Sequence, residues 1–158
     1  MKFDARTLLD RVAALNIGRS VERRAPHKPL LLLLAIADIQ KQLPRLRSYV
    51  DIEERLARAL EIFGRPAKHQ NPQYPFWRLQ NDKVWQVEAD APLRSRQSNS
   101  DPPRSELVRK QARGGLLPEH YDILFGNEEL QSQLIHQVLD LHFPASMHDE
   151  IAAFFDLR

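Results

Sequence analysis

The chain has 158 residues, of which 42% are hydrophobic, and it contains no cysteine. A chain of this length can bury about two thirds of its unfolded surface in one core. The lack of cysteine excludes disulfide bonds, thiolate metal ligands and cysteine nucleophiles, and it agrees with the cytoplasmic location that we expect.

Charge is distributed unevenly along the chain, although the formal net charge is only +2. Residues 1–115 carry 22 Lys and Arg against 13 Asp and Glu, whereas residues 116–158 carry one against eight. A basic segment of this kind favours an anionic partner such as a nucleic acid. Ordinary solvated charge is the alternative at this point.

The first part of the chain shows the hydrophobic periodicity of helices. An amphipathic pattern predicts a helix over residues 4–16. Pro29 suits the first turn of a second helix, and the apolar run from Leu30 to Gln42 predicts that this helix is buried. Residues 49–52 predict a short strand that runs into a third helix over residues 52–63.

Two β-like runs follow, over residues 76–80 and 84–88, and three polar residues separate them. This spacing predicts a β-hairpin. Packing of the hairpin is expected to bury Trp77, Leu79 and Trp85.

The last part of the chain predicts helices again. After a loop over residues 90–103, Asp101 is expected to cap a basic helix that Gly114 and Gly115 end. Three further helices are predicted over residues 118–125, 128–142 and 146–155. Together these elements predict a mainly helical α+β fold, a helical domain with one β-hairpin, and they permit a winged-helix-like arrangement.

The sequence lacks the signatures of common catalytic sites. None of its six histidines shares a helical zinc motif with a glutamate, and there is no Gly-x-Ser-x-Gly elbow or phosphate-binding glycine loop. The acidic residues fall on the solvent faces of predicted helices instead of clustering for a divalent ion. We therefore expect a binding protein without catalytic residues, metal or cofactor.

A basic segment precedes the predicted buried helix. It contains Arg23, Arg24, His27 and Lys28. The N–H groups and the dipole at a helix N-terminus favour an anion, so this segment predicts a phosphate-binding site. A polar cap on a core helix is the alternative, although basic residues oppose the dipole at this end.

Tyr74 and Pro75 lie in the approach to the predicted hairpin. An aromatic edge and a rigid ring at this position could form a small apolar cup, and ordinary hairpin packing is the alternative.

A third candidate surface combines basic and amide side chains. Its residues are Arg94, Arg96, Ser98, Asn99, Arg104 and Arg109. Arginine reads guanine edges and asparagine reads adenine edges, while other polar side chains contact phosphates. A solvated loop is the alternative, because composition does not separate base contacts from phosphate contacts.

Two segments in a fixed order resemble a known family. The sequence Ala25-Pro26-His27-Lys28-Pro29-Leu30-Leu31-Leu32, followed by Tyr74-Pro75-Phe76-Trp77, resembles the sulfur-binding domain of phosphorothioate-dependent, HNH-type (type IV) restriction endonucleases. The resemblance covers most of the chain. It implies a single domain over residues 1–158 that recognises double-stranded DNA in which sulfur replaces a non-bridging phosphate oxygen.

The resemblance also implies roles for individual residues. His27 and Lys28 match the basic pair at the modified linkage, and Tyr74 and Pro75 match the sulfur pocket. Lys28 stands where the family often has arginine, so charge is kept but bidentate geometry is lost. Arg78 stands where a small pocket residue is expected. Either the aliphatic part of its side chain completes the pocket, or the alignment with the family is shifted at this position.

The family's nuclease module is not found in this sequence, so a nuclease is expected on another chain or in a fused domain outside this one. Three other interpretations stay open at this point. The chain could be a winged-helix DNA-binding regulator that ignores sulfur, a nuclease that acts alone, or a protein-interaction domain that uses its acidic C-terminal helices.

Overall fold

The computed structural model describes residues 4–17, 26–64, 70–93 and 101–158, and in these residues it combines helices with a small three-stranded antiparallel sheet. The helices are α1 (Ala5–Ala13), α2 (His27–Gln40), α3 (Tyr49–Phe63), α4 (Gln73–Arg78), α5 (Arg104–Arg109), α6 (Pro118–Leu124), α7 (Glu128–His142) and α8 (Ala145–Phe155), with a 3-10 turn at Leu79–Asp82. The strands are β1 (Arg47–Ser48), β2 (Trp85–Glu88) and β3 (Arg113–Leu116), in the order β1-β3-β2. The predicted mainly helical α+β class is confirmed.

Helix α2 lies at the centre of the core and packs against α3, α4, α7 and α8. The residues from Pro29 to Ile39 are buried, except for the partly buried Ala35, so the prediction of a buried helix is confirmed. The helix begins at His27, two residues earlier than predicted, with Pro26 at the N-cap. Pro29 is tolerated because N–H groups in a first turn have no acceptor within the helix. The earlier start places His27 and Lys28 in the first turn.

The predicted hairpin is wrong. Strand β2 pairs with β3, and the residues before it form α4 and the 3-10 turn instead of a strand. Phe76 and Leu79 are both fully buried, and their spacing of three residues suits one side of a helix as well as it suits an apolar strand. The sheet order β1-β3-β2, with α2 before β1 and with α3 and α4 between β1 and β2, is nevertheless compatible with a winged-helix-like arrangement. Trp85 is buried as predicted, whereas Trp77 is only half-buried.

Strand β3 occupies the position where the basic helix was expected to end. Helix α5 stops at Arg109, and Gly114 and Gly115 lie in the central strand of the sheet. A Cβ atom on Gly114 would lie 2.6 Å from Cε2 of Phe76, and one on Gly115 would collide with the backbone carbonyl of Arg45. The two glycines therefore allow close approach of the strand to its neighbours.

Two further boundaries differ from the prediction. Tyr49 begins α3, so the short strand lies before residues 49–52 and not within them. Pro103 is the N-cap of α5, and Asp101 does not cap that helix. The side chain of Ser48 caps α3 by accepting a hydrogen bond from the backbone N–H of Asp51, whereas Asp101 binds Arg78, a contact described below.

The three C-terminal helices are confirmed. The side chain of Asn127 accepts a hydrogen bond from the backbone N–H of Leu130 at 3.1 Å, which caps α7 as predicted. Gly126, with φ of +73°, provides the left-handed turn between α6 and α7. In the part of the chain that the structure describes, no helix is both long enough and apolar enough to cross a bilayer.

Candidate functional site

A cavity of about 430 Å³ lies between the segment that follows α1, the first turn of α2, and α4. It is lined by Asn16, Ile17, His27, Lys28, Tyr74, Pro75, Arg78 and Asn81. The structure thus brings together five residues that the sequence pointed to, although they come from two segments far apart in the chain. Pro75 is buried overall and Tyr74 is half-buried, and both contribute to the cavity wall.

Helix α4 explains how Tyr74 and Arg78 meet. The two residues are four apart, so they share one face of the helix. The guanidinium carbon Cζ of Arg78 lies 4.6 Å from the centroid of the Tyr74 ring, which is cation–π geometry. An extended strand would not have placed these side chains in contact, because its side chains alternate between faces.

A buried carboxylate holds the other side of Arg78. Nε and Nη2 of Arg78 lie 2.7 Å and 2.5 Å from Oδ2 of Asp101. The side chain of Asp101 is only 6% exposed, whereas that of Arg78 is 46% exposed. Asp101 therefore fixes Arg78 at the cavity wall instead of capping α5.

A second buried carboxylate holds Lys28. Its Nζ atom lies 2.6 Å from Oδ2 of Asp82, with the side chains 12% and 5% exposed. Oδ1 of Asp82 accepts a hydrogen bond from the backbone N–H of Asn16 at 2.9 Å. One carboxylate therefore joins the segment after α1, the start of α2 and the 3-10 turn, and these are three parts of the cavity wall.

The backbone carbonyl of Lys83, the residue after Asp82, is held by one side chain from α1 and one from α6. Lys83 has a left-handed backbone (φ of +64°), and its carbonyl accepts a hydrogen bond from Nη1 of Arg11 at 2.9 Å. Nε2 of His120 lies 3.2 Å from the same carbonyl oxygen. His120 is fully buried, and this burial lowers the pKa of its imidazole.

Arg104 and Arg109 lie in α5, outside the cavity, with side chains 57% and 68% exposed. Arg104 binds Glu53 through two hydrogen bonds, and the Tyr49 hydroxyl donates to the same carboxylate at 2.7 Å. The hydrogen bond from Arg104 holds the pKa of Glu53 below its usual value. Arg109 pairs with the buried Glu106. Contacts of either arginine with DNA stay a prediction.

Other predicted site residues lie outside the part of the chain that the structure describes. These are Arg23, Arg24, Arg94, Arg96, Ser98 and Asn99. Conversely, no sequence pattern marked Asn16, Ile17 and Asn81 as cavity residues, or Asp82 and Asp101 as their supports. Among the described residues, no three His, Asp or Glu side chains lie together as metal ligands.

The chain is thus a mainly helical α+β domain with a cavity lined by basic and aromatic side chains. The chain matches the family model described as ScoMcrA-like, DNA sulfur-binding domain, over residues 5–158. The chain therefore belongs to the ScoMcrA-like DNA sulfur-binding domain family. The resemblance stated from the sequence is confirmed.

Solved structures with the same fold include complexes with DNA. The sulfur-binding domain of ScoMcrA complexed with phosphorothioated DNA is 25% identical, with a TM-score of 0.84 and 96% of each chain covered. A structure of the sulfur-binding and SRA domains of ScoMcrA with phosphorothioated DNA is also 25% identical, with a TM-score of 0.82, over 96% of this chain and 49% of that one. The type IV restriction endonuclease ScoMcrA is 23% identical, with a TM-score of 0.79, over 94% of this chain and 28% of that one. A comparison with curated proteins finds no match.

Proposed function

We propose that this chain recognises phosphorothioated double-stranded DNA and serves as the targeting module of a cytoplasmic, modification-dependent restriction system. The observation that carries the proposal is that His27, Lys28, Tyr74 and Pro75 line one cavity. Membership of the DNA sulfur-binding domain family supports it. The 25% identical sulfur-binding domain of ScoMcrA, solved with phosphorothioated DNA, supports it further.

The first turn of α2 would hold the negative charge of the modified linkage. His27 and Lys28 occupy this turn, where backbone N–H groups and the helix dipole favour an anion. Lys28 is already paired with Asp82, so part of its charge is offset before DNA binds. The cavity therefore attracts phosphates less strongly than a cluster of unpaired cations would. Discrimination between sulfur and oxygen can then depend on the shape and polarity of the cavity.

Tyr74 and Pro75 would provide the preference for sulfur. A phosphorothioate keeps its negative charge, but its sulfur is larger and more weakly hydrated than oxygen. Apolar contacts stabilise sulfur at this wall, whereas an oxygen there would lose water without gaining a hydrogen bond. An apolar contact of this size is expected to discriminate by about 1–3 kcal/mol.

Most of the affinity would come from contacts outside the cavity. Arg104 and Arg109 are exposed enough to reach the DNA, and the basic residues near positions 23 and 94 belong to the same basic part of the chain. Such contacts release counterions, so binding should weaken steeply with salt. We propose that residues 1–158 act as one binding domain and that a nuclease elsewhere cuts the DNA.

Paired titrations on one duplex test this function. Fluorescence anisotropy should compare the unmodified duplex with the same duplex carrying one phosphorothioate, with each sulfur stereoisomer measured separately. We expect one stereoisomer to bind roughly 10- to 200-fold more tightly than the unmodified duplex. Equal affinities for all three duplexes would contradict the proposal.

A second measurement tests the absence of nuclease activity. A phosphorothioated plasmid incubated with the chain and Mg²⁺ or Mn²⁺ should remain intact, with an unmodified plasmid as the control. Specific cleavage of the modified plasmid would show that the chain is an enzyme.

A further inference from the structure

The cavity contains two cations that are each held by a nearly buried carboxylate, and the two pairs differ in exposure. Lys28 is 12% exposed and lies against Asp82, whereas Arg78 is 46% exposed and lies against Asp101. A cation as exposed as Arg78 could turn toward a DNA phosphate if nothing restrained it. Asp101 supplies that restraint.

The restraint on Arg78 acts from two sides. Nε and Nη2 both approach the same oxygen of Asp101, which fixes the plane of the guanidinium group. The Tyr74 ring lies against that group, 4.6 Å from Cζ to the ring centroid. The side chain of Asp101 is only 6% exposed, and a charge-assisted hydrogen bond between ionised groups is strong, so the pair should persist when a ligand enters the cavity.

We propose that Asp101 is a positioning residue that determines sulfur selectivity. It holds Arg78 against Tyr74 as part of the cavity wall and offsets the positive charge of Arg78. This inference rests on the proposed recognition of phosphorothioated DNA and names a residue that sets its specificity.

The chemistry of arginine explains why the restraint matters. An unrestrained guanidinium binds phosphate oxygens through charge-assisted, often bidentate, hydrogen bonds. Such a contact increases the affinity for unmodified DNA at least as much as the affinity for modified DNA, because sulfur is the poorer hydrogen-bond acceptor. With Arg78 held by Asp101, the wall beside Tyr74 does not offer oxygen this compensation, and the advantage of sulfur is preserved.

Asp101→Ala tests the inference in the full chain. DNA binding is titrated on the modified and the unmodified duplex at several salt concentrations. We expect tighter binding of the unmodified duplex and a roughly tenfold smaller preference for sulfur, at the low end of the effect of one pocket contact. The salt dependence should steepen by about 0.9 in the slope of log affinity against log salt, because the released Arg78 gains one phosphate contact.

Two other variants complete the design. Asp101→Asn removes the charge that offsets Arg78, so it should steepen the salt dependence. It keeps a hydrogen-bond acceptor for Arg78, so it should keep a larger part of the preference for sulfur than Asp101→Ala does. Asp90→Asn removes the same charge from the exposed pair with Arg113, in which the atoms are 3.0 Å apart and Asp90 is 54% exposed. Asp90 does not line the cavity, so this control should keep the preference unchanged.

The outcomes separate the two proposals. If the unaltered chain prefers sulfur and Asp101→Ala keeps both that preference and the salt dependence, the inference about Asp101 is overturned while the proposed function stands. If the unaltered chain shows no preference, both proposals are overturned. If circular dichroism shows that Asp101→Ala does not fold, Asp101→Asn is used to test the inference instead. An unchanged preference for sulfur and an unchanged salt dependence in that variant would overturn the inference.

Discussion

The Nζ atom of Lys28 lies 2.6 Å from Oδ2 of Asp82, and this contact fixes the first turn of α2 to the end of the 3-10 turn that follows α4. Asp82 also accepts the backbone N–H of Asn16, so three separate segments meet at one carboxylate. The shape of the cavity wall therefore depends on an ion pair that is almost hidden from solvent.

Asp82→Ala should destabilise the protein strongly. The change leaves Lys28 buried without its partner and leaves the N–H of Asn16 without its acceptor. Removing one member of a buried pair costs about 3–5 kcal/mol in the free energy of unfolding. Urea denaturation followed by circular dichroism measures this loss, and a midpoint equal to that of the unaltered chain would contradict the prediction.

A double variant separates the charge from the hydrogen bond. Lys28→Met with Asp82→Asn removes both charges but keeps an acceptor for Asn16. This combination should recover most of the lost stability, since a buried pair can be replaced by uncharged groups at little cost. No recovery would show that the ion pair is not the source of the effect.

Tyr74→Ala should reduce the preference for phosphorothioated DNA. Removing the ring takes away an apolar wall of the cavity and also the surface against which Arg78 lies. The preference should fall by about 1–3 kcal/mol, while binding of unmodified DNA should change little. Paired anisotropy titrations provide the measurement.

Tyr74→Phe is the matched control for this prediction, because it keeps the ring and removes only the hydroxyl. It should retain the preference for sulfur. A DNA-binding regulator that ignores sulfur would show no effect of either variant on the ratio of the two affinities.

Arg104→Ala should weaken binding of modified and unmodified DNA equally. Arg104 is 57% exposed and does not line the cavity, and Glu53 binds its Nε and Nη2, so its expected contact with the DNA backbone or bases is through Nη1 and not with sulfur. Loss of one phosphate contact should lower the salt dependence by about 0.9 in the slope of log affinity against log salt. A change in the sulfur preference itself would place Arg104 in a different role.

Arg158→Ala provides the control, because it removes one positive charge at the other end of α2. The backbone N–H of Arg158 donates to the side chain of Gln40, the last residue of that helix, whereas His27 is the first. This variant should leave both affinities close to those of the unaltered chain.

Elements with their own periodicity could be predicted from the sequence, and a short helix could not. Helices α1, α7 and α8 each repeat an apolar pattern over several turns, α2 is a continuous apolar run, and all four were found close to their predicted bounds. Helix α4 has only six residues, including Pro75, and its apolar residues also fit a strand. Its helical state depends on packing against α2, which no local pattern shows.

The supports of the cavity could not be predicted for the same reason. Asp82 and Lys28 are 54 residues apart in sequence, and Asp101 and Arg78 are 23 apart. Asp101 looked like a helix cap because it precedes two prolines and a basic helix. The resemblance to a known family pointed to His27, Lys28, Tyr74 and Pro75, but it did not reveal the carboxylates that hold the cations.

The buried imidazole of His120 should make stability depend on pH just below neutrality. Burial lowers its pKa, and the nearby Arg11 lowers it further, while the Lys83 carbonyl and Glu119 act in the opposite direction. The folded-state pKa therefore lies below the unfolded value of 6.5. Between these two values the unfolded chain binds the proton more readily, so stability is fully present above 6.5 and is lost as pH falls through the folded pKa.

His120→Gln tests this dependence, because glutamine keeps hydrogen-bonding groups but does not titrate. Urea denaturation between pH 7.5 and pH 5 should show a smaller decrease in the free energy of unfolding for this variant than for the unaltered chain. The pKa of Glu53 lies below its ordinary value of 4.5, and Glu53 is present in both proteins, so its contribution cancels in the comparison. The other histidines are present in both proteins, so the difference in slope isolates His120, and equal slopes would contradict the prediction.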